Sequence, residues 1–215
     1  MNISGLIGNF VVNEVDIAPL VEAELDRRHP ERAQLRDARS ADDLRATWAT
    51  IESLWAGTVE RGRALGEEAT HEQVDEEWSL AETLRHLVFC TDAWAMRTVL
   101  DQERPYHPLG YPHSSYPPAA ARELGVHLDA RPSLDEVLAA RAERQAVMRG
   151  ILDGLADDDL ARECTRDPAP GYPDEVRTVE RCLRVVMREE IAHRLYAERD
   201  LAVLEERAGG AQEPV

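Results

Sequence analysis

One long helical pattern near the C-terminus constrains the fold of this chain more than any other feature. Residues 179–205 contain neither Gly nor Pro. At 3.6 residues per turn, six apolar residues fall on one face of a helix: Val179, Leu183, Val186, Ala197, Leu201 and Leu204. The pattern therefore predicts a long amphipathic helix that buries this face against other helices.

Three polar residues lie on or beside that apolar face. Glu190 and His193 fall inside it, and Glu189 lies on its edge. Burial of a carboxylate without a partner costs several kcal/mol, so these groups need a cation, a hydrogen-bond network or water. An imidazole one helical turn from a carboxylate is also an arrangement with which helix bundles bind divalent metals. The segment is therefore a candidate functional site.

Three further helical patterns precede this one, and each begins with a Ser that can cap a helix. Ser79 and Ser133 start capping boxes with Glu82 and Glu136, and Ser40 precedes the first pattern. The four predicted helices span residues 41–66, 79–100, 133–153 and 177–206. Helices of this length are typical of an all-α, four-helix bundle.

We expect the bundle to occupy residues 40–207. Residues 1–39 are predicted to form an N-terminal extension. Within it, the β-branched and Gly-containing residues 1–15 favour a small hairpin, and residues 17–28 favour a short helix. The tail from 208 to 215 is predicted to be disordered.

The connection between the second and third helices is unusually long. Residues 101–132 are rich in Pro, Tyr and His, and loops of this length in compact domains are often functional lids. His107 and His113 flank the sequence LGYP and are candidate substrate-binding or acid–base groups. Solvated loop histidines are an equally good interpretation.

A metal site in a bundle needs ligands from facing helices. His86, at the margin of the apolar stripe of the second helix, is the natural partner for Glu189 and His193 of the fourth. Two imidazoles and one carboxylate would leave an open coordination position, as in catalytic zinc sites. Glu190 lies nearer the middle of the stripe than Glu189, so either carboxylate could be the ligand and the other could orient it.

The remaining candidates have weaker patterns. Tyr196 follows His193 by about one turn and is a candidate to orient ligands or to bind substrate. We interpret Cys90 and Cys182 as buried packing residues. The tryptophans are interpreted as core residues: Trp48, Trp55, Trp78 and Trp94.

The charge of the chain excludes several classes of partner. Its formal net charge is −17, and all 25 of its basic residues are Arg. This acidic excess argues against nucleic acid and against anionic membrane surfaces. The three cysteines have no CxxC spacing, and the N-terminus lacks the basic and apolar regions of a signal peptide. We therefore expect a cytoplasmic protein that acts on a small molecule, and a homodimer stays an open alternative.

Two motifs resemble the DinB superfamily, especially the branch with mycothiol-dependent maleylpyruvate isomerase and the bacterial thiol S-transferases. They are E-E-W-S…L-R-H-L…D-A-W in the second helix and E-E-I-A-H-R-L-Y-A-x-R-D-L in the fourth. The resemblance covers about residues 40 to 206 and implies an up-down-down-up bundle. It places a metal triad on His86, Glu189 and His193. Many members have His where this chain has Glu189, and the His–Glu–His version is similar to that of the isomerase. Parts of the N-terminal segment look actinobacterial.

The resemblance implies a metal-dependent transferase or isomerase that uses a low-molecular-weight thiol such as mycothiol. The expected metal is zinc, with nickel or iron as alternatives, and the thiol would be a cosubstrate. The alternative from another class is a non-catalytic stress-response or interaction bundle, in which the metal site is structural or vestigial.

Overall fold

The computed structural model describes residues 10–210. Most of them are helical. The elements in chain order are β1 (Val11–Val12), β2 (Val15–Asp16), α1 (Ala18–Arg28), α2 (Pro30–Asp37), α3 (Ala41–Leu65), α4 (Glu67–Thr70), α5 (Leu80–Cys90), a π-helical segment (Thr91–Val99), α6 (Pro118–Glu123), α7 (Leu134–Asp153), a 3-10 turn (Asp157–Asp159), β3 (Glu163–Cys164), β4 (Arg177–Thr178) and α8 (Val179–Gly210).

The long helices begin where their capping residues predict. Ser79 and Ser133 each accept a hydrogen bond from the backbone N–H three residues later, at 3.3 Å, and the Glu at that position closes the box. Ser40 forms the same motif with Asp43. These side chains satisfy backbone N–H groups that have no partner inside the helix, which explains where α3, α5 and α7 begin.

Helices α3 and α7 are antiparallel. At one end, Arg45 of α3 donates to the carbonyl oxygen of Leu155, just beyond α7, at 3.1 Å. At the other end, Arg63 of α3 forms an ion pair with Asp135 at the start of α7, at 2.7 Å. The chain therefore runs up through α3 and down through α7.

The other helix pairs complete the topology. Helices α5 and α7 are parallel, because Arg85 contacts Ala130 just before α7, and Asp92, further along the same helix, contacts Arg144 further along α7. Helices α3 and α8 are also parallel, because Arg184 contacts Ala38 just before α3 and Glu198 contacts Thr58 further along it. The order is therefore up-down-down-up, as predicted. Helices α5 and α8 are neighbours, so ligands on both can converge.

The N-terminal segment differs in detail from the prediction. The hairpin pairs Val11 with Asp16, and its turn places Asn13 and Glu14 at φ of 48° and 69°, a conformation that Asn adopts readily. The part of the predicted hairpin in residues 1–9 lies outside the described residues. Helix α2, which the sequence analysis did not assign, begins at Pro30 because Pro is favoured in the first turn of a helix.

The second helix of the bundle changes its winding halfway. The sequence predicts one helix over 79–100, but after Cys90 the chain continues as a π-helix to Val99. Asp92 in this segment is fully buried and pairs with Arg144 of α7 at 2.8 Å. This ion pair helps to stabilise the π-helical turns. Turns of this kind are rare and often mark functional regions.

The predicted loop and the predicted tail also differ from the structure. The long loop contains a short helix, α6, and its Tyr106 and Tyr116 are buried against Phe89. Helix α8 continues through Gly210, so residues 208–210 are helical rather than part of a disordered tail, and 211–215 lie outside the described residues. Across residues 10–210, no helix combines the length and the apolarity that a bilayer span requires.

Candidate metal centre

His86 is held in one orientation by a backbone carbonyl. Its imidazole lies on α5, and Nδ1 is 2.9 Å from the carbonyl oxygen of Tyr111 in the long loop. Since a carbonyl can only accept, Nδ1 carries the proton and donates it. The lone pair of the neutral ring is therefore on Nε2, which faces α8. Hydrogen bonds of this type orient histidines that bind metals.

Glu189 connects the two histidines. Its Oε2 lies 3.6 Å from Nε2 of His86 and 3.3 Å from Nε2 of His193. His193 is one turn after Glu189 on α8, so the same helix presents both groups. The hydrogen bond from His193 is the main cause that holds the pKa of Glu189 well below its ordinary value. The carboxylate is therefore ionised at neutral pH.

Two groups meet the Nε2 side of His86. With Nδ1 bonded to Tyr111, Nε2 carries the lone pair, and it lies 3.2 Å from Sγ of Cys90 and 3.6 Å from Oε2 of Glu189. The thiol can donate to this lone pair, whereas the carboxylate oxygen is a second acceptor and repels it. A cation between Nε2 and Oε2, or a second proton on the imidazole, would remove that repulsion.

Two of the three separations within the predicted triad fit a metal ion. Nitrogen and oxygen ligands about 2.1 Å from a tetrahedral ion lie about 3.4 Å apart. The two separations to Glu189, 3.6 Å and 3.3 Å, bracket that value. The donor set of two imidazoles and a carboxylate is also one that zinc accepts in catalytic sites.

Cys90 lies closer to the centre than a packing residue would need to. Its Sγ is 3.2 Å from Nε2 of His86, and it forms a set with His86 and Glu189 whose ligand atoms lie within 4.8 Å of one another. His193 is outside this mutually close set and is linked to it through Glu189. Burial is the main cause that raises the pKa of the Cys90 thiol, and the charge of Glu189 raises it further.

Glu190 lies in a different environment from Glu189. Its carboxylate accepts hydrogen bonds from both terminal nitrogens of Arg141 on α7, at 3.0 Å and 3.1 Å, and both residues are buried. Arg141 also stacks over the ring of Trp55, 5.1 Å from its centroid. Of the two carboxylates that the sequence left open, the structure brings Glu189 to the histidines and Glu190 to an arginine.

The two loop histidines have different positions. His113 lies near the centre: its Nδ1 is 2.9 Å from Oγ of Ser115, and burial is the main cause that lowers its pKa. His107 instead lies beside the Asp92–Arg144 pair, where its backbone N–H donates to Asp92 at 2.8 Å. Burial raises the pKa of Asp92 to about 6 in spite of Arg144.

Trp78 is a site residue that the sequence analysis placed in the core. Its ring stacks on His193 at 5.7 Å between centroids and lies 4.8 Å from that of His86. Tyr111 meets Trp78 edge-on and supplies the carbonyl to His86. Tyr196 meets His193 edge-on and is 42% exposed. The sequence offered one indication that Trp78 lies at the site, namely its position directly before the capping residue Ser79.

An acidic cavity opens beside the centre. It has a volume of about 330 Å³, and its lining includes both His193 and carboxylates from the α4–α5 connection and α8: Glu76, Glu77, Trp78, Thr83, Ser114, His193, Tyr196 and Asp200. The side chain of Glu189 is 35% exposed. A ligand in this cavity would therefore reach the centre from the His193 side.

Comparisons with known proteins agree with this architecture. The sequence pattern of the DinB superfamily matches residues 17–197. A crystal structure of a protein from Streptococcus pneumoniae is similar, with a TM-score of 0.52 and 16% identity over 84% of this chain and 98% of that one. At this identity the similarity shows the fold alone. A search of curated proteins finds no match.

Proposed function

The chain belongs to the DinB superfamily, and on that premise we propose that it is a metal-dependent enzyme whose ion is bound by His86, Glu189 and His193. One observation carries the proposal: Nε2 of each imidazole faces the same oxygen of Glu189, at 3.6 Å and 3.3 Å. The carbonyl of Tyr111 occupies the other nitrogen of His86. The meeting of both imidazoles at one carboxylate oxygen supports a shared ion.

The donor set favours zinc, with nickel or iron as alternatives, because imidazole nitrogen is a preferred ligand of all three. When bound, such an ion supplies a Lewis acid that lowers the pKa of a coordinated thiol or water. Trp78 covers one side of both imidazoles and limits the access of water there. Glu189 contributes a negative charge that partly offsets that of the ion.

We propose that the protein transfers a group to a low-molecular-weight thiol, or isomerises a substrate with the help of such a thiol. The thiol would enter the cavity beside His193. The cavity supports a small-molecule substrate because it reaches a candidate ligand and has room for several non-hydrogen atoms. The carboxylates of Glu76 and Glu77 favour a neutral or amine-bearing thiol over a dicarboxylate, whereas the charge of Asp200 is balanced by Arg199. Tyr196 offers an aromatic edge to the same space.

A non-catalytic bundle with a structural ion is the second candidate. The position of Cys90 favours it, because a fourth protein donor could close a tetrahedral shell. Two properties separate the catalytic from the structural candidate: how fast the bound ion exchanges, and whether small thiols can reach it. A closed structural site exchanges its metal slowly and does not respond to added thiol.

The test is metal analysis joined to a thiol-conjugation assay. The protein is purified without a His-tag and its metal is measured, and it is then incubated with small thiols and electrophilic acceptors. We expect wild type and His127→Ala to bind metal and to accelerate conjugation, because the side chain of His127 is exposed and outside the centre. His193→Ala should lose both properties. Metal without any acceleration would favour the structural alternative, and absence of metal from wild type after zinc reconstitution would refute the proposal.

A further inference from the structure

We infer that Cys90 is a fourth ligand, so that the ion is bound by His86, Cys90, Glu189 and His193 rather than by two histidines and a carboxylate alone. This inference rests on the proposed metal site and adds a sulfur donor to it. Its basis is the convergence of Cys90 with His86 and Glu189, whose ligand atoms all lie within 4.8 Å of one another.

The helix places Cys90 next to His86. The two residues are four apart on α5, so their side chains lie one above the other on the face toward α8. Sγ of Cys90 is 3.2 Å from Nε2 of His86. Since Nδ1 of that ring donates to Tyr111, Nε2 accepts, and the thiol donates to it. The thiol proton therefore occupies the space between sulfur and nitrogen that a shared metal ion would fill.

The distance between Cys90 and His86 is consistent with shared coordination, whereas His193 lies outside the set of mutually close donors. A sulfur about 2.3 Å and a nitrogen about 2.0 Å from a tetrahedral ion lie about 3.5 Å apart. The observed 3.2 Å requires only a small movement of the Cys90 side chain. Cys90 and His86 are both buried, so they approach from the interior, whereas His193 lines the cavity.

Charge balance supports a second anionic ligand. A divalent ion with two imidazoles and one carboxylate keeps one net positive charge at a partly buried site, which is unfavourable without a counter-charge. The other carboxylates whose charge reaches Cys90 are Glu190 and Asp92, and each is paired with an arginine. A thiolate at Cys90 makes the centre neutral.

The binding step is balanced without any redox change. The S–H bond of Cys90 breaks, its proton passes to solvent, and a sulfur–metal bond forms with the electron pair that remains on sulfur. Four protein donors would fill a tetrahedral shell, and a substrate could then reach the ion only by displacing one of them or by transient expansion to five ligands. A thiolate ligand also selects zinc or cobalt over magnesium and manganese.

Cobalt substitution tests the sulfur ligand directly, because a thiolate bound to Co²⁺ gives a charge-transfer band in the near ultraviolet. The metal-free full chain is titrated with Co²⁺ alone, and d–d absorption reports binding independently of sulfur. Wild type and Cys182→Ser should show both signals, since Cys182 is buried elsewhere on α8. Cys90→Ser should bind Co²⁺ without the charge-transfer band, and its zinc affinity should fall by more than the roughly 10–100-fold typical of an outer-shell partner.

The outcomes separate this inference from the proposed function. Co²⁺ binding by wild type without the charge-transfer band, or a band that persists in Cys90→Ser, would overturn the sulfur ligand and leave the His–Glu–His site standing. No Co²⁺ or Zn²⁺ binding by wild type would overturn both. If Cys90→Ser does not fold, zinc-edge X-ray absorption of wild type decides, with a sulfur scatterer expected at about 2.3 Å.

Discussion

The guanidinium of Arg141 on α7 donates two hydrogen bonds to the carboxylate of Glu190 on α8, at 3.0 Å and 3.1 Å, inside the bundle. The preceding residue, Glu189, faces His86 and His193. Two adjacent carboxylates of one helix therefore have separate tasks, one in holding two helices together and one at the candidate metal centre.

The first prediction follows from that separation. Glu190→Ala should lower the free energy of unfolding by about 3–5 kcal/mol, because it leaves Arg141 buried without its counter-charge, and should leave metal binding intact. Glu189→Gln should do the reverse: near-normal stability and loss of most bound metal. Urea unfolding of the metal-free proteins and elemental analysis measure the two effects. An exchange of these results between the two variants would show that the assignment of roles is wrong.

A second prediction concerns the packing around His193. Trp78 stacks on its ring and covers His86, so Trp78→Leu should weaken zinc binding about 10–100-fold, as loss of an outer-shell partner does. Trp94→Leu is the matched control, since Trp94 is also partly buried but contacts Tyr172 rather than the centre. Calorimetric titration with Zn²⁺ gives both affinities. Equal affinities for the two variants would argue against a positioning role for Trp78.

A third prediction tests how α3 approaches its neighbours. A Cβ on Gly62 would lie 2.3 Å from Cδ2 of Leu80, whereas a Cβ on Gly57 has no atom within 4 Å. Gly57→Ala should therefore raise the free energy of unfolding by about 1 kcal/mol through helix propensity. In Gly62→Ala the terminal methyl of Leu80 must move aside, so this variant should gain less stability than Gly57→Ala. Comparable stabilisation by both substitutions would show that α3 and α5 are not in such close contact.

The fourth prediction is a pH dependence at Cys182. Burial, helped by the neighbouring Cys164, raises the pKa of this thiol from 9.0 to about 12. Between these values the unfolded chain releases the proton while the folded chain keeps it, so the unfolded state is favoured increasingly as pH rises. The stabilising contribution is therefore complete below about pH 9 and is lost toward about pH 12. Chemical unfolding across this range should show a steeper fall of stability for wild type than for Cys182→Ala, and parallel curves would refute the shift.

The helices could be predicted because their signals are local. Capping boxes at Ser79 and Ser133 and a 3.6-residue apolar period fix where each helix begins and which face it buries. The π-helical segment could not be foreseen, because its buried Asp92 is paired with Arg144 from a helix 52 residues later. Such a contact exists only after the helices have packed.

The residues that meet at Glu189 could be named from the sequence, and metal binding by them stays a prediction. His86, Glu189 and His193 stand out because they interrupt or border apolar stripes, and the family motifs point to the same three positions. Which of Glu189 and Glu190 meets the histidines depends on Arg141, and the roles of Tyr111 and Cys90 depend on how the long loop and α5 fold onto α8. These contacts are tertiary, so periodicity carries no signal for them.

Anomalous diffraction from crystals of zinc-loaded protein, recorded on both sides of the zinc absorption edge, tests the central claim most directly. We expect one strong peak per chain, about 2.0–2.2 Å from Nε2 of His86, Nε2 of His193 and an oxygen of Glu189. A peak on other residues, or fully zinc-loaded crystals in which His86 and His193 bind no ion, would contradict it.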